Sequence, residues 1–303
     1  MRPFWTVLIP TYHRVTYLKQ CLDSVLQEDP GAEHMEILVT DDCSPPQVEA
    51  AVRQWGRDRV LFRPLKRHQG QWPNVNAGVA AARGQWIHLL NDDDFVLPGF
   101  YKTMEAAIAQ APASVGVISS PSLLLQQAQG RTGPQVPVQT TAGVLEKFLE
   151  RLAIANPINL ASTVVSREVY ATIGNYTPRL PFCSDWDFHI RSAARFDWWY
   201  VPRNLACYRL HDQGVTSQHR RAGSQARDIR STLRRAQQWL PDSLKQTCLD
   251  KARCYHARQF ATQAAQALDQ GDQEAGFELL RQACLFRKLT GEGKGPSKRK
   301  HGQ

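Results

Sequence analysis

Residues 85–94 carry the sequence Gln-Trp-Ile-His-Leu-Leu-Asn-Asp-Asp-Asp, in which an apolar stretch ends in a run of acidic side chains. The apolar part, residues 85–90, has the length and composition of a buried strand. Three carboxylates at the end of such a strand repel one another and lose hydration. A hard divalent ion such as Mg2+ or Mn2+ relieves both costs and commonly also binds substrate phosphates. The run therefore predicts a metal site, with a solvated turn as the open alternative.

The segments that precede this run alternate between strand-like and helix-like patterns. Strands are predicted at residues 5–9, 35–39, 60–62 and 85–90, and helices at residues 17–26, 47–55 and 74–83, with Gly84 as the C-cap of the last. This alternation indicates a parallel sheet covered on both faces, in which ligands bind at the carboxyl ends of the strands. Pro10-Thr11, Asp41-Asp42 and Asn91-Asp92-Asp93 all follow strands, so we expect these polar groups on one rim.

Beyond residue 98 the alternation gives way to a less regular pattern. The elements predicted there are a helix at 99–110, a strand at 115–118, a long polar loop at 126–142, a strand near 160–165, a helix near 166–173, and short strands at 198–201 and 205–208. Ser184 is placed to cap a helix that begins at Asp185, and Asp187 is placed to complete that cap.

The last part of the chain, from about residue 219, is predicted to be helical. Residues 244–268 are amphipathic, Gly271-Asp272 predicts a turn, and residues 274–286 predict a second helix. Residues 291–303 are rich in glycine, lysine and arginine, so they are predicted to be disordered.

The composition is that of a globular protein, with 303 residues of which 42% are hydrophobic and 21% charged. Seven cysteines without a CxxC pair favour neither a disulfide framework nor a zinc site. No apolar run reaches the ~20 residues of a membrane span, and no signal-peptide core follows Met1, so we expect a cytoplasmic protein.

The net charge of +9 lies largely in the late helices and the tail. An anionic membrane surface is one partner that fits this charge, and a solvated helix face is the simpler interpretation. We expect no nucleic-acid partner, because aromatic residues do not interleave the basic ones. Contact with a membrane surface remains an alternative, and the sequence does not predict an oligomeric state.

Several motifs, taken in order over roughly residues 4–216, resemble the family 2 glycosyltransferases, which have the GT-A fold. The matching segments are Val-Leu-Ile-Pro-Thr-Tyr-His-Arg at 7–14, Leu-Val-Thr-Asp-Asp-Cys-Ser at 38–44, Asn-Ala-Gly at 76–78, Ala-Arg-Gly-Gln-Trp-Ile at 82–87, Asn-Asp-Asp-Asp at 91–94 with Pro98 after it, Ser-Asp-Trp-Asp at 184–187 and Tyr-Arg-Leu-His at 208–211. Each segment is weakly specific alone, and their order and spacing carry the match.

The resemblance implies an α/β fold, a GT-A-type Rossmann-like mixed sheet flanked by helices, with a C-terminal all-helical extension. We accordingly divide the chain into a glycosyltransferase domain at residues 1–216, a helical region at 217–290 and a basic tail at 291–303.

The resemblance also implies a role for each matched residue. The metal site would use Asp93 and His211, and the catalytic base would be Asp185. Donor contacts are implied for Pro10, Thr11, Asp41, Asp42, Asn76 and Asp92. Asp94 would cap the next helix or support the site indirectly, and Trp72, placed in a loop, would pack or border the pocket.

The predicted activity is that of an inverting glycosyltransferase, which moves a sugar from a nucleotide-diphosphate donor to a glycan or other hydroxyl acceptor. A UDP-sugar is the favoured donor. Mn2+ or Mg2+ would offset the charge on the departing diphosphate, and a carboxylate would take the acceptor proton. A histidine ligand at position 211 favours Mn2+.

Two positions depart from the family pattern. Val75 stands where an arginine often precedes the Asn of Asn-x-Gly, and Ser184 stands where a glutamate often precedes the aspartate. They support an alternative function, that of a non-catalytic nucleotide-sugar-binding or scaffolding protein with a degenerate site.

Overall fold

The structure is a computed structural model that describes residues 2–212, 214 and 225–288, and mixed β-sheets form its centre. The strands are β1 Trp5–Thr11, β2 Met35–Asp41, β3 Val60–Pro64, β4 Trp86–Leu89, β5 Phe95–Val96, β6 Val115–Ser119, β7 Ser122–Gln126, β8 Arg131–Pro134, β9 Gly143–Val144, β10 Thr163–Ser166, β11 Asp197–Tyr200 and β12 Ala206–Leu210.

Helices cover the sheets and form the last part of the chain. They are α1 Val15–Leu26, α2 Pro46–Gly56, α3 Gln71–Ala81, α4 Phe100–Gln110, α5 Phe148–Leu152, α6 Arg167–Ile173, α7 Ser184–Ala193, α8 Gln225–Ala236, α9 Asp242–Asp269 and α10 Gln273–Lys288. Within the described ranges, none of them is long and apolar enough to cross a lipid bilayer.

The larger sheet has the strand order β3-β2-β1-β4-β10-β6-β11-β9. Strands β3, β2, β1 and β4 are parallel, as the alternating pattern predicts, whereas β10 is antiparallel to both of its neighbours. A smaller sheet has the order β5-β12-β7-β8. The two crossovers after β1 and β2 leave the carboxyl ends of the parallel strands together at one edge.

Strand alternation sends apolar side chains to both faces of the larger sheet. Val7 and Ile9 of β1 join one buried cluster with α1, α2 and α4, and Leu8 joins a second cluster with α3. The second cluster also contains residues of α7 to α10, such as Ile229, Phe260 and Phe286. The C-terminal helices are therefore built into the core of the α/β part rather than attached to its surface.

The segment predicted as a loop at 126–142 contains a strand. β8 pairs antiparallel with β7, and Leu124 lies opposite Gly133. The turn between them ends at Gly130, which has a left-handed φ of 61° that only glycine adopts without strain. The loop prediction is wrong here because polar composition alone does not distinguish a loop from an exposed hairpin.

Helix α3 differs from its prediction at both ends. It begins at Gln71, so Trp72 lies in the helix and not in a loop, and it ends at Ala81, so Gly84 is not its C-cap. Gly84 lies instead against β1, where its N–H donates to Thr6 Oγ1 at 2.7 Å.

The predicted capping of helix α7 is wrong. The helix begins at Ser184 itself, after Cys183, and no side chain caps it. Ser184 Oγ accepts the Thr177 N–H at 2.6 Å. Asp187 accepts Arg191 Nε at 2.9 Å and Arg235 Nε at 2.6 Å, which ties α7 to α8.

The predicted basic tail at 291–303 and the domain boundary at 216–217 lie outside the described residues.

Candidate active site

The carboxyl ends of β1, β2 and β4 open into a cavity of about 370 Å³. The predicted site residues that line it are Pro10, Thr11, Asp42, Asp92, Asp93, Asp185 and His211. These residues come from segments that are up to about 200 positions apart in the chain, and the fold brings them around one space. Asp41 and Asn76 are not among its lining residues.

The acidic pair Asp92 and Asp93 is held from three sides. Thr11 Oγ1 donates to Asp92 Oδ2 at 2.6 Å. Arg14 Nη1 donates to Asp92 Oδ1 at 3.1 Å and also bonds to Asp93 Oδ2. His211 Nε2 lies 2.9 Å from the same Asp93 oxygen. Burial raises the pKa of Asp92, and the charge of Arg14 opposes that rise.

Asp94, the third aspartate of the run, turns into the protein instead of the cavity. Its Oδ1 accepts the Arg209 N–H at 2.9 Å, and Arg209 Nε donates to the Asp93 carbonyl oxygen at 2.7 Å. The Arg209 guanidinium lies 4.5 Å from the Tyr17 ring centroid. Asp94 therefore binds β12 to the acidic run, which brings His211, just after β12, to Asp93.

Asp42 organises the loop that follows β3. Its carboxylate accepts the N–H of Gln69 at 2.8 Å and of Gly70 at 2.7 Å, and His68 Nδ1 lies 2.8 Å away. The ring of His68 stacks on Tyr12 with centroids 4.3 Å apart. The stacked rings of His68 and Tyr12 therefore form a wall of the cavity beside the Asp42 carboxylate.

Asp41 contacts its own loop rather than the cavity. Its Oδ2 accepts the Ser44 N–H at 2.7 Å, and its Oδ1 accepts the Ser44 hydroxyl. The side chain thus shapes the turn after β2, and the donor contact predicted for Asp41 stays a prediction.

The amide of Asn76 is used by another loop. Its Nδ2 donates to the Tyr176 carbonyl oxygen at 3.0 Å, and its Oδ1 accepts the Tyr176 N–H at 3.1 Å. The cavity is instead lined by Asn74, whose Nδ2 donates to Thr40 O at 3.0 Å. Residues two apart on a helix point in nearly opposite directions, so Asn76 and Asn74 meet different partners, and the donor contact predicted for Asn76 stays a prediction.

Asp185 lies in the first turn of α7, at the far wall of the cavity. Burial raises its pKa to about 6, and the N–H of Trp186 opposes the rise. Asn156 Nδ2 lies 3.5 Å from Asp185 Oδ2. Because Asn156 Oδ1 accepts the Ile158 N–H at 3.3 Å and faces His189 Nδ1 at 3.2 Å, the amide is oriented with its NH2 toward the carboxylate.

Comparison with known proteins agrees with this arrangement. The family model described as "Glycosyl transferase family 2" matches residues 6–132. An uncharacterized glycosyltransferase of Haemophilus influenzae is 25% identical over 187 residues, which cover 61% of this chain. The chain is similar to the glycosyl transferases of family 2. The match spans 60% of the Haemophilus relative's length, so less than two thirds of that protein is compared.

Two solved structures share the fold of this protein. TarS 1-349 of S. aureus in complex with UDP-GlcNAc has a TM-score of 0.69 and 16% identity, and the match covers 94% of this chain and 81% of TarS 1-349. The mannosyltransferase PcManGT from Pyrobaculum calidifontis in complex with GDP-Man and Mn2+ has a TM-score of 0.58 and 17% identity, covering 97% and 89%. The predicted GT-A-type α/β fold with C-terminal helices is confirmed.

The acidic run and His211 supply the side chains that could hold a divalent ion in this cavity. Among the described residues, no group of three His, Cys, Asp or Glu side chains is close enough to hold a metal alone. Asp93 and His211 supply an oxygen and an imidazole nitrogen side by side. Since Mg2+-type sites often use one or two protein ligands plus substrate phosphates, the pair fits an ion whose coordination a diphosphate completes.

Sequence reasoning missed three residues of the site. Arg14 and Arg209 lie in the matched segments at 7–14 and 208–211, so their positions were a usable signal. Asn156 had none, because its partner Asp185 is far away in the sequence.

Proposed function

We propose that this protein is a glycosyltransferase that moves a sugar from a nucleotide-diphosphate donor to an acceptor hydroxyl. The observation that carries the proposal is the single cavity that joins Asp42, the Asp92–Asp93 pair and Asp185. Nucleotide recognition, charge neutralisation and proton removal need these three groups within one donor's length. The family match over residues 6–132 supports the same reaction class.

The nucleoside half of the donor would lie against the wall formed by Tyr12, His68 and Asp42. A flat base suits the stacked rings, and the carboxylate accepts an N–H from the base edge. A UDP-sugar is the favoured donor. TarS 1-349 was solved with UDP-GlcNAc and PcManGT with GDP-Man, which supports a nucleotide sugar as the ligand class.

Asp93 and His211 would hold Mn2+ or Mg2+ together with the diphosphate. When bound, such an ion offsets the negative charge that grows on the departing diphosphate. Thr11 and Arg14 fix Asp92 beside it, where Asp92 would contact the donor. The Mn2+ in the PcManGT structure supports a metal of this type.

Asp185 would act as the general base. Its carboxylate, which lines the cavity and lies 3.5 Å from Asn156 Nδ2, takes the proton of the acceptor hydroxyl as that oxygen attacks the sugar. With a pKa of about 6 it is mostly ionised at neutral pH, yet basic enough to accept the proton. One direct displacement inverts the configuration at the reacting carbon.

The test separates donor binding from transfer. Purified wild type, Asp185→Asn, Asp93→Ala and the surface control Asp197→Asn are titrated with UDP and Mn2+ by calorimetry, and then assayed for transfer or donor hydrolysis with a panel of nucleotide sugars. We expect Asp185→Asn to keep nucleotide affinity and lose on the order of 10²-fold or more in rate. Asp93→Ala should lose metal-dependent nucleotide affinity. Normal transfer by Asp185→Asn contradicts the assignment of the base.

A second candidate is a nucleotide-sugar-binding protein without turnover. Val75 is an uncharged residue and is fully buried, so it offers a diphosphate neither a positive charge nor a contact. Ser184 holds the Thr177 loop rather than an acceptor. Donor binding with neither transfer nor hydrolysis in the same assay identifies this function.

A further inference from the structure

Arg14 occupies the space between the two carboxylates at the centre of the site. It lies in the turn between β1 and α1, and its side chain is 21% exposed. Nη1 bonds to Asp92 Oδ1 at 3.1 Å and to Asp93 Oδ2. His211 Nε2 approaches that same Asp93 oxygen at 2.9 Å. The carboxylate assigned to the metal is therefore already paired with a guanidinium.

This pairing has an electrostatic consequence for any ion that arrives alone. A divalent cation at Asp93 would lie within a few ångströms of the guanidinium, and like charges at so short a distance repel each other, the more so where water is partly excluded. If the Arg14 side chain moves away to make room for the ion, the nearly buried Asp92 carboxylate loses its cationic partner. Both the repulsion and this loss weaken metal binding to the nucleotide-free protein.

A diphosphate removes both obstacles. Its oxygens accept a guanidinium in the same forked geometry as a carboxylate does, and they also supply metal ligands. Arg14 lines the cavity, so it can reach a ligand placed there.

We propose that Arg14 is an internal counter-ion that makes binding of the divalent cation depend on binding of the diphosphate. The inference rests on the proposed function and adds a specificity rule to it. A nucleoside diphosphate promotes metal binding, whereas a nucleoside monophosphate, which has one phosphate group to share between Arg14 and the metal, promotes it far less.

Arg209 is the other arginine of the site, and its contacts give it a different role. Its side chain is nearly buried, lies over Tyr17, and donates Nη2 to Gln20 Oε1 at 2.6 Å and Nε to the Asp93 carbonyl oxygen at 2.7 Å. These bonds hold β12 in place. Arg14 is the arginine whose bonds go to the donor-side carboxylates themselves.

The experiment measures Mn2+ binding by electron paramagnetic resonance, from the loss of the free-ion signal, without nucleotide, with UMP and with UDP. The proteins are wild type, Arg14→Met, and Arg53→Met as a control that removes the same charge from an exposed pair with Glu49. For wild type and Arg53→Met we expect UDP, but not UMP, to tighten Mn2+ binding at least tenfold. For Arg14→Met without nucleotide we expect Mn2+ to bind at least tenfold tighter than to wild type. By reciprocity, the effect of UDP in that variant must shrink.

Equal Mn2+ affinities of nucleotide-free wild type and Arg14→Met overturn the role of Arg14 and leave the proposed function standing. A wild type that binds neither UDP nor Mn2+ in any combination overturns both. If Arg14→Met does not fold, Arg14→Gln replaces it, since glutamine removes the charge but keeps an N–H donor for Asp92. The nucleotide-free Mn2+ affinity of that variant should rise at least threefold, and an unchanged value overturns the inference.

Discussion

Three consecutive aspartates have three different environments in this protein. Asp92 faces Thr11 and Arg14, Asp93 faces Arg14 and His211, and Asp94 faces the backbone of β12. Successive side chains after a strand point in different directions, so neighbours in the sequence meet different partners. Chemical identity alone therefore does not assign roles within the run; the partners do.

Asp185, the proposed base, leads to a prediction about the pH dependence of transfer. Because burial raises its pKa to about 6, the transfer rate should rise as the pH passes through about 6 and level off above it. Asn156→Ala removes an N–H that stabilises the ionised form, so the midpoint should move to higher pH while the donor KM is unchanged. The pH profile of kcat is the measurement, with the exposed Gln246→Ala as control. A purely structural role of Asn156 would lower the rate equally at every pH.

At the scale of secondary-structure elements, β1 packs directly against the backbone at Gly84. Gly84 follows α3 and lies so near β1 that a Cβ on it would be 2.3 Å from the Thr6 nitrogen. A backbone atom cannot move away as a side chain can. The absence of a side chain at this position allows β4 to begin directly beside β1.

Gly84→Ala should therefore lower the free energy of unfolding by about 1–3 kcal/mol, the cost of overpacking. Gly133→Ala is the matched control, since a Cβ there meets nothing within 4 Å, and its effect should stay below about 0.5 kcal/mol. Urea unfolding followed by circular dichroism compares the two. Equal midpoints for both variants would show that β1 tolerates the added methyl group.

At the scale of the whole molecule, the C-terminal helices complete the core and support the cavity. Asp228 of α8 accepts the N–H of Phe182, a cavity residue, at 3.0 Å. Arg235 of the same helix pairs with Asp187 at 2.6 Å. Burial opposes the ionised form of Asp187, but the hydrogen bond from Arg235 and the charge of Arg191 hold its pKa below the usual value. His256 of α9 bonds to the Ile154 carbonyl oxygen at 3.0 Å.

A chain that stops at residue 216 should consequently fail to fold cooperatively, because it would expose the face that Ile229, Phe260 and Phe286 cover. A chain that stops at residue 290 is the control and should unfold with the wild-type midpoint. Thermal unfolding and size-exclusion chromatography distinguish the two truncations. A monomeric, cooperatively folded 1–216 fragment would instead make the helical region a separate domain.

The sequence by itself determined the parallel half of the sheet, the rim where polar residues collect, and the family. These features are encoded in local periodicity and in motifs of a few residues. Only the tertiary structure decided that Asn74 and not Asn76 lines the cavity, that Asp94 supports β12, and that Arg14 sits between Asp92 and Asp93. The physical reason is distance along the chain: Thr11 and Asp92 are 81 residues apart, and Asp93 and His211 are 118 apart. A hydrogen bond between residues so far apart in the chain forms only after the strands have paired, so it cannot be predicted from a local sequence pattern.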